Sequence, residues 1–385
     1  MKARGQVGRN FIAEWFGYRM YPTTRPDPLH VRDQRAERCP FLSRALREES
    51  PCVKRPNARG ICTIAGPGDA DWLVCPHRAL DGVLLDAAAR RLFGTEDGPR
   101  PLVIPAPSLG RPDVRYDIEK GVGTGVPIVV YAQSQLGGEV SIAGTAGSPP
   151  LAFDTTFVEV VQEAGRLQLG RFGILEIQTM DFHGTYQHAL RNLTQALELH
   201  PEDFAEQVNA NQWWLSDRVE GPNIANVFKR TFYQAAFKFR LAAHEKSAGC
   251  ILALPSPVWD SWRQHLGGAE LDPQPGGKVS VLRAPPGLSL EPSKAWIFVF
   301  EIDRESTESP NAIILRQSIV ADAASVTYYA LEAAPEMAIE QATKDEWLHL
   351  AIEAKLAQWW PELAADRGAR KAKTQKLRAR KSPAR

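Results

Sequence analysis

Apolar positions along the chain fall into two periods. In ALDGVLLDAAARRLFG (79–94), Leu80, Leu84, Ala88 and Leu92 recur at helical spacing, and Gly94 can end the helix. The same periodicity predicts helices over 186–200, 223–245 and 338–359. Short apolar runs with β-branched and aromatic residues predict strands at PIVVYAQS (127–134), EVSIAGT (139–145), GRFGILEIQT (170–179), GCILALP (249–255), KAWIFVFEI (294–302) and NAIILRQSIV (311–320). Strands interleaved with helices point to an α/β or α+β core. The stretches LGGAELDPQPGG (266–277) and APPGLSLEPS (284–293) read as loops, and no internal repeat is present.

Residues 1–78 lack any long periodic pattern and are rich in Arg, Pro, Gly and Cys. A small irregular unit there buries too little surface to hold itself and needs a staple. The chain therefore divides into an N-terminal region (1–95), a core (96–360) and a basic, low-complexity tail (361–385) expected to be disordered. Composition adds that the chain is of globular type, with 44% hydrophobic and 24% charged residues. The polar start carries no apolar signal-peptide segment, and no apolar run approaches the roughly 20 residues that span a bilayer. Five cysteines, an odd number, argue against a disulfide framework. These readings lead us to expect a soluble, cytoplasmic protein without a membrane partner.

Charge changes the picture more than composition does. The net charge is +1, yet residues 1–60 hold 13 basic against 6 acidic side chains and 367–385 hold nine basic and no acidic ones. The middle, 61–366, carries 24 basic against 39 acidic residues. Basic ends suit a polyanion that the total charge would exclude.

Three clusters can carry chemistry. Asp154 follows the Pro149-Pro150 turn, and Glu176 and Gln178 stand two apart in a strand, on one face. Carboxylates and a polar side chain at a strand end can hold a hard cation through oxygen, and such an ion activates water beside a phosphate; a solvent-facing E-x-Q is the bland alternative. Cys39, Cys52, Cys62 and Cys75 are separated by 12, 9 and 12 residues, which is not zinc-ribbon spacing. Turn-forming Pro40, Pro51, Gly60 and Pro76 near them suit a four-thiolate iron or zinc site, with buried free thiols as the alternative. Cys250 reads as core. The helix at 223–240 has an apolar stripe of Val227, Phe228, Thr231, Phe232, Ala235, Ala236 and Phe239. Its other side, with Arg230, Tyr233, Gln234 and Phe237 flanked by Lys229 and Lys238, can face nucleic acid or plain solvent. Arg35, Arg38, Arg44 and Arg47 are further candidates for contacts to guanine.

Ordered blocks extend this reading. NFIAEWFG (10–17), CPFL (39–42), DWLVCPHRALD (71–81), LGGEVSI (136–142), LEIQTMDFHGTY (175–186), EGPNIANVFKRTFYQAAFKF (220–239) and AWIFVFEID (295–303) resemble the NotI-type type II restriction endonucleases of the PD-(D/E)xK nuclease superfamily. The resemblance runs from residue 10 to about 303 and fades beyond. It implies a central mixed sheet flanked by helices, plus a small four-cysteine fold that binds iron through Cys39, Cys52, Cys62 and Cys75. It implies Mg²⁺-dependent cleavage of both strands of a GC-rich palindrome. Asp154, Glu176 and the Ile177 carbonyl would be metal ligands, Gln178 would orient water, and Glu139 would be an extra carboxylate. Gln178 stands where the wider superfamily carries Lys, and an amide does not titrate, so it serves neither as acid nor as base. A palindromic substrate implies a homodimer; Trp213-Trp214 and Trp359-Trp360 are interface candidates, with core packing as their alternative. Two rivals remain open: a catalytically inactive DNA-binding protein on the same fold, and a metallohydrolase using Asp181, His183 and His188.

Overall fold

Alternation along the central strands dictates the layers. In Ser247–Pro255 every residue is buried, the pattern of a strand covered on both faces. Ile251 and Ala253 join one apolar cluster, while Cys250, Leu252 and Leu254 join another across the sheet. A computed structural model describes residues 6–21, 28–66, 71–94, 98–284, 287, 294–306, 308–344 and 347–360. The basic tail and most of the 284–293 loop lie outside the described residues.

The N-terminal part contains β1 (Phe11–Trp15), β2 (Tyr18–Arg19), α1 (Pro28–Arg35), α2 (Pro40–Leu46), β3 (Ile61–Ala65), β4 (Asp71–Leu73) and α3 (Gly82–Phe93). Then come β5 (Leu102–Pro105), α4 (Pro112–Gly123), β6 (Ile128–Gln133), β7 (Val140–Ile142), β8 (Leu151–Phe153), β9 (Thr155–Glu163), β10 (Arg166–Ile177) and β11 (Phe182–Gly184). After α5 (Gln187–Leu199) and α6 (Phe204–Ala210) follow β12 (Val219–Pro222), α7 (Ile224–Leu241), β13 (Ser247–Pro255) and α8 (Ser256–His265). The remainder comprises β14 (Leu271–Pro273), β15 (Val279–Leu282), β16 (Ala295–Ile302), β17 (Ile313–Ala321), α9 (Ala323–Tyr328), α10 (Ala334–Lys344) and α11 (Trp347–Leu356).

The protein is α/β, with a large mixed sheet flanked by helices. Nine strands run in the order β14-β15-β17-β16-β13-β10-β9-β6-β5. β10, β13 and β16 are parallel, β9 pairs antiparallel with both its neighbours, and β17 is antiparallel to β16 but parallel to β15. Helix α3 covers one face through Leu84, Ala88 and Leu92. Asp81 caps it by accepting from the Val83 N–H at 2.8 Å, and Gly94, at φ +70°, ends it as expected. Helices α7, α8 and α9 cover the other face through Val227, Ala235, Phe239, Trp259, Trp262 and Val326.

The N-terminal region is more regular than its composition suggests. A four-stranded sheet, β2-β1-β3-β4, begins with a two-residue hairpin turn at Phe16 and Gly17, both at positive φ. Its apolar residues, with Ile12, Trp15, Ile61 and Ile64 among them, pack against Leu190, Leu193 and Leu197 of α5. The staple is partly a buried ion pair. Arg78 donates to Glu14 through Nε (2.9 Å) and Nη2 (3.1 Å), and also to the Asn311 carbonyl at 2.5 Å. Both side chains are fully buried, and the Thr63 hydroxyl donates to the same carboxylate.

Within 338–359 the described residues are helical as far as Leu356, in Ala334–Lys344 (α10) and Trp347–Leu356 (α11). Two further expectations change. The strand at 139–145 shrinks to the exposed β7, paired with β8. Trp359 and Trp360 are 87% and 60% exposed rather than packed in the core. Among the described residues no helix is long and apolar enough to cross a membrane.

Candidate active site

The site forms where β10 leaves the sheet. Residues of β10 alternate between the two clusters: Leu175 and Ile177 face α3, whereas Ile174 faces α7. Glu176 and Gln178 share the Ile174 side and so point toward α7. The parallel register Glu176↔Leu252 and Ile177↔Ala253, continued by the Gln178 N–H donating to the Ala253 carbonyl (3.0 Å), fixes the strand end.

Asp154 lies between β8 and β9 and meets Glu176 through a reciprocal latch. The Asp154 N–H donates to Glu176 Oε1 (3.1 Å), and the Ile177 N–H donates to Asp154 Oδ2 (3.0 Å). Two carboxylates 22 positions apart are thereby brought to one point. Gln178 is held on both ends of its amide: Nε2 donates to the Thr179 carbonyl, and Oε1 accepts from the Thr231 hydroxyl of α7. One amide N–H is left over.

A residue read from the sequence as a flank of the basic helix face turns out to belong here. Lys238 is 1% exposed, and its Nζ is ion-paired with Glu176 Oε2 over the ring of Phe153, 5.7 Å from its centroid. Helical arithmetic explains the misreading. Lys238 stands seven residues after Thr231, two turns on, and therefore on the apolar stripe rather than beside it. The signal was present in the spacing, but a lysine on an apolar stripe reads as a side chain reaching back to solvent.

Burial drives the Glu176 carboxyl up to about 7, the nearby Asp154 charge adds to this, and the Lys238 ammonium opposes it. Glu139 is exposed. It stands just before β7, one residue ahead of the Val140↔Phe153 pair. Asp181, half exposed, pairs with Arg230 at 3.1 Å, and His183 is exposed on β11. His188 instead faces Arg218, at 3.3 Å. Asp181, His183 and His188 thus do not converge.

The four cysteines require a correction. Among the described residues no three His, Cys, Asp or Glu side chains are grouped so as to hold a metal ion, so the expected four-cysteine metal site is not formed. All four thiols are free. They are near enough that Cys52 and Cys75 raise the Cys39 thiol, but burial is the larger cause and takes it to about 12. Cys62 and Cys75 are likewise raised, first by burial. A buried neutral thiol packs as a small apolar group. The nearest cation, Lys54, is spent on the Ile61 (2.7 Å) and Val74 (3.1 Å) carbonyls.

The nucleic-acid candidates are unevenly placed. Lys229, Arg230, Tyr233 and Phe237 are exposed along the outer side of α7. Arg35 is exposed, but Arg38 is committed to Asp33 (3.3 Å) and to Glu49. No protein-family model matches the chain, and a search of curated proteins finds no match.

Proposed function

We propose that the chain is a Mg²⁺-dependent endonuclease of the PD-(D/E)xK kind, cutting both strands of DNA at a GC-rich palindrome as the NotI-type restriction endonucleases do. The observation that carries this reading is the latch of Asp154 and Glu176 at the end of a central strand, with Gln178 on the same face.

The donor set fits a hard cation. It consists of oxygen atoms, and a cation, the Lys238 ammonium, already rests against Glu176. Asp154, Glu176 and the Ile177 carbonyl would hold the ion, which when bound supplies an activated water and charge for the phosphate. The chain's own groups do the remainder. Asp154 and Glu176 are held in place through backbone N–H groups, so little reorganisation is needed on binding. Thr231 locks the Gln178 amide, and its spare N–H can orient a water but cannot take its proton. Lys229, Arg230 and Arg35 offer charge to backbone phosphates.

A homodimer suits a two-fold substrate. The exposed apolar residues Leu348, Ile352, Leu356, Trp359 and Trp360 support self-association. A structural iron or zinc on the four thiols is not part of this reading, because their placement does not fit one.

Digestion of plasmid and genomic DNA with and without Mg²⁺, followed by sequencing of the ends, tests the proposal. We expect one recurrent end sequence that requires Mg²⁺. Random ends, or undiminished cutting by D154A, refute it.

A further inference from the structure

Helix α7 meets the strand twice. Thr231 binds Gln178 and Lys238 binds Glu176. The two helix positions are about 10.5 Å apart along their axis, and the two strand positions about 6.6 Å. One helix face therefore spans both functional side chains.

Lys238 is out of place as a packing residue. Its neighbours on the buried stripe are Val227, Thr231, Ala235 and Phe239. Burying an ammonium is costly, and a buried ion pair is commonly replaced by apolar groups of similar volume with no loss of stability. Stability alone thus gives no reason for lysine here. The local chemistry does. Asp154 and Glu176 bring two negative charges to one point, a phosphodiester brings a third, and no other basic side chain contacts either carboxylate among the described residues.

Resting on the nuclease reading above, we propose that Lys238 is the positioning residue of the site: a fixed positive charge, delivered from α7, that aims Glu176 and offsets the charge of the bound phosphodiester. It acts through Glu176, and Gln178 beside it supplies no charge. A lysine placed at 178, on the same strand face, should substitute for it in part.

The experiment compares wild type, K238M, K238R and the relocation variant Q178K/K238M. Each is measured for melting temperature, Mn²⁺ binding by paramagnetic resonance, DNA binding in Ca²⁺ and single-turnover cleavage in Mg²⁺. We expect K238M to fold and to bind Mn²⁺ and DNA, while its cleavage falls by about 100-fold or more, the scale of losing one preorganised charge-stabilising group. K238R should recover part of the rate, and Q178K/K238M should recover at least about tenfold over K238M.

Cleavage by folded K238M within about threefold of wild type overturns the proposal, being too small for a charge-stabilising role. So does a loss of Mn²⁺ and DNA binding together with cleavage that neither K238R nor Q178K/K238M repairs, since that marks a purely structural residue. A wild-type protein that binds Mn²⁺ yet cuts no DNA refutes the nuclease reading itself, and Lys238's part falls with it.

Discussion

Two regions of the molecule bury ionisable groups and treat them in opposite ways. At the end of β10, Glu176 is met by an ammonium and a backbone N–H, and Asp154 by another N–H. In the N-terminal region the thiols of Cys39, Cys62 and Cys75 are buried and raised first by that burial, which outweighs the opposing Lys54 ammonium at Cys62 and Cys75. The first arrangement sets an ammonium against a carboxyl that burial and a neighbouring carboxylate push toward neutrality. The second suppresses charge and uses sulfur as packing material. The same N-terminal region does bury one charge pair, Glu14 with Arg78, and there every bond is turned inward to hold β1, β3 and the Asn311 segment together. The two buried pairs differ in place: Glu176 stands at the end of a central strand beside a second carboxylate, whereas Glu14 and Arg78 join three segments of the core.

The largest test of this contrast is on the carboxylates. D154A and E176A should each lower Mg²⁺-dependent cleavage by on the order of 10³-fold or more while specific binding persists, because the groups that stabilise charge in the transition state are lost. Gel-shift and cleavage assays on the same samples separate the two effects. Next in size is the structural pair. R78M leaves Glu14 charged in the core without its cation, keeping only the Thr63 hydroxyl, and should cost about 3–5 kcal/mol in urea unfolding, without any specific defect in the protein that remains folded.

The thiols should respond more weakly and unequally. C75S places a hydroxyl in a buried site and should cost about 1–3 kcal/mol, whereas the half-exposed Cys52 should tolerate serine with less than about 1 kcal/mol. Equal losses, with iron or zinc appearing in metal analysis of the wild type, would show that the four act as one ligand set.

The smallest effect is in pH. The Glu176 carboxyl is raised from 4.5 to about 7. Between those values the folded protein holds a proton that the unfolded chain has released, so this group's contribution to stability is complete below pH 4.5 and is lost as pH rises through 7. Metal-free thermal melts should slope downward across that window, and E176Q should flatten them. Metal uptake should run the other way, growing as the carboxyl ionises.

Much of the core was legible because its signals are local. The strands at 127–134, 249–255 and 294–302 and the helices at 79–94, 186–200 and 223–245 follow from apolar period, and each appears within a few residues. The N-terminal sheet was missed because its strands are two to five residues long, too short for a period to register, and because they borrow their core from α5. Helix α8 was missed for a related reason: Trp259 and Trp262 sit in a short segment that opens with Pro257 and is flanked by loop-forming residues. In the site, Asp154, Glu176 and Gln178 were legible as residue types with the right spacing, but Lys238 was not, since its charge suggested solvent.

By itself the sequence determined the α/β alternation, the shared face of Glu176 and Gln178, and the apolar stripe of α7. These depend only on the periods 2 and 3.6 and on which side chains leave water. The tertiary structure alone decided that Asp154 latches onto Glu176, that Lys238 turns inward to it, and that the four thiols form no metal-holding group among the described residues. Each of those outcomes joins residues far apart in the chain. Their contact follows from how strands pair and how a helix lies across them, which no local period encodes.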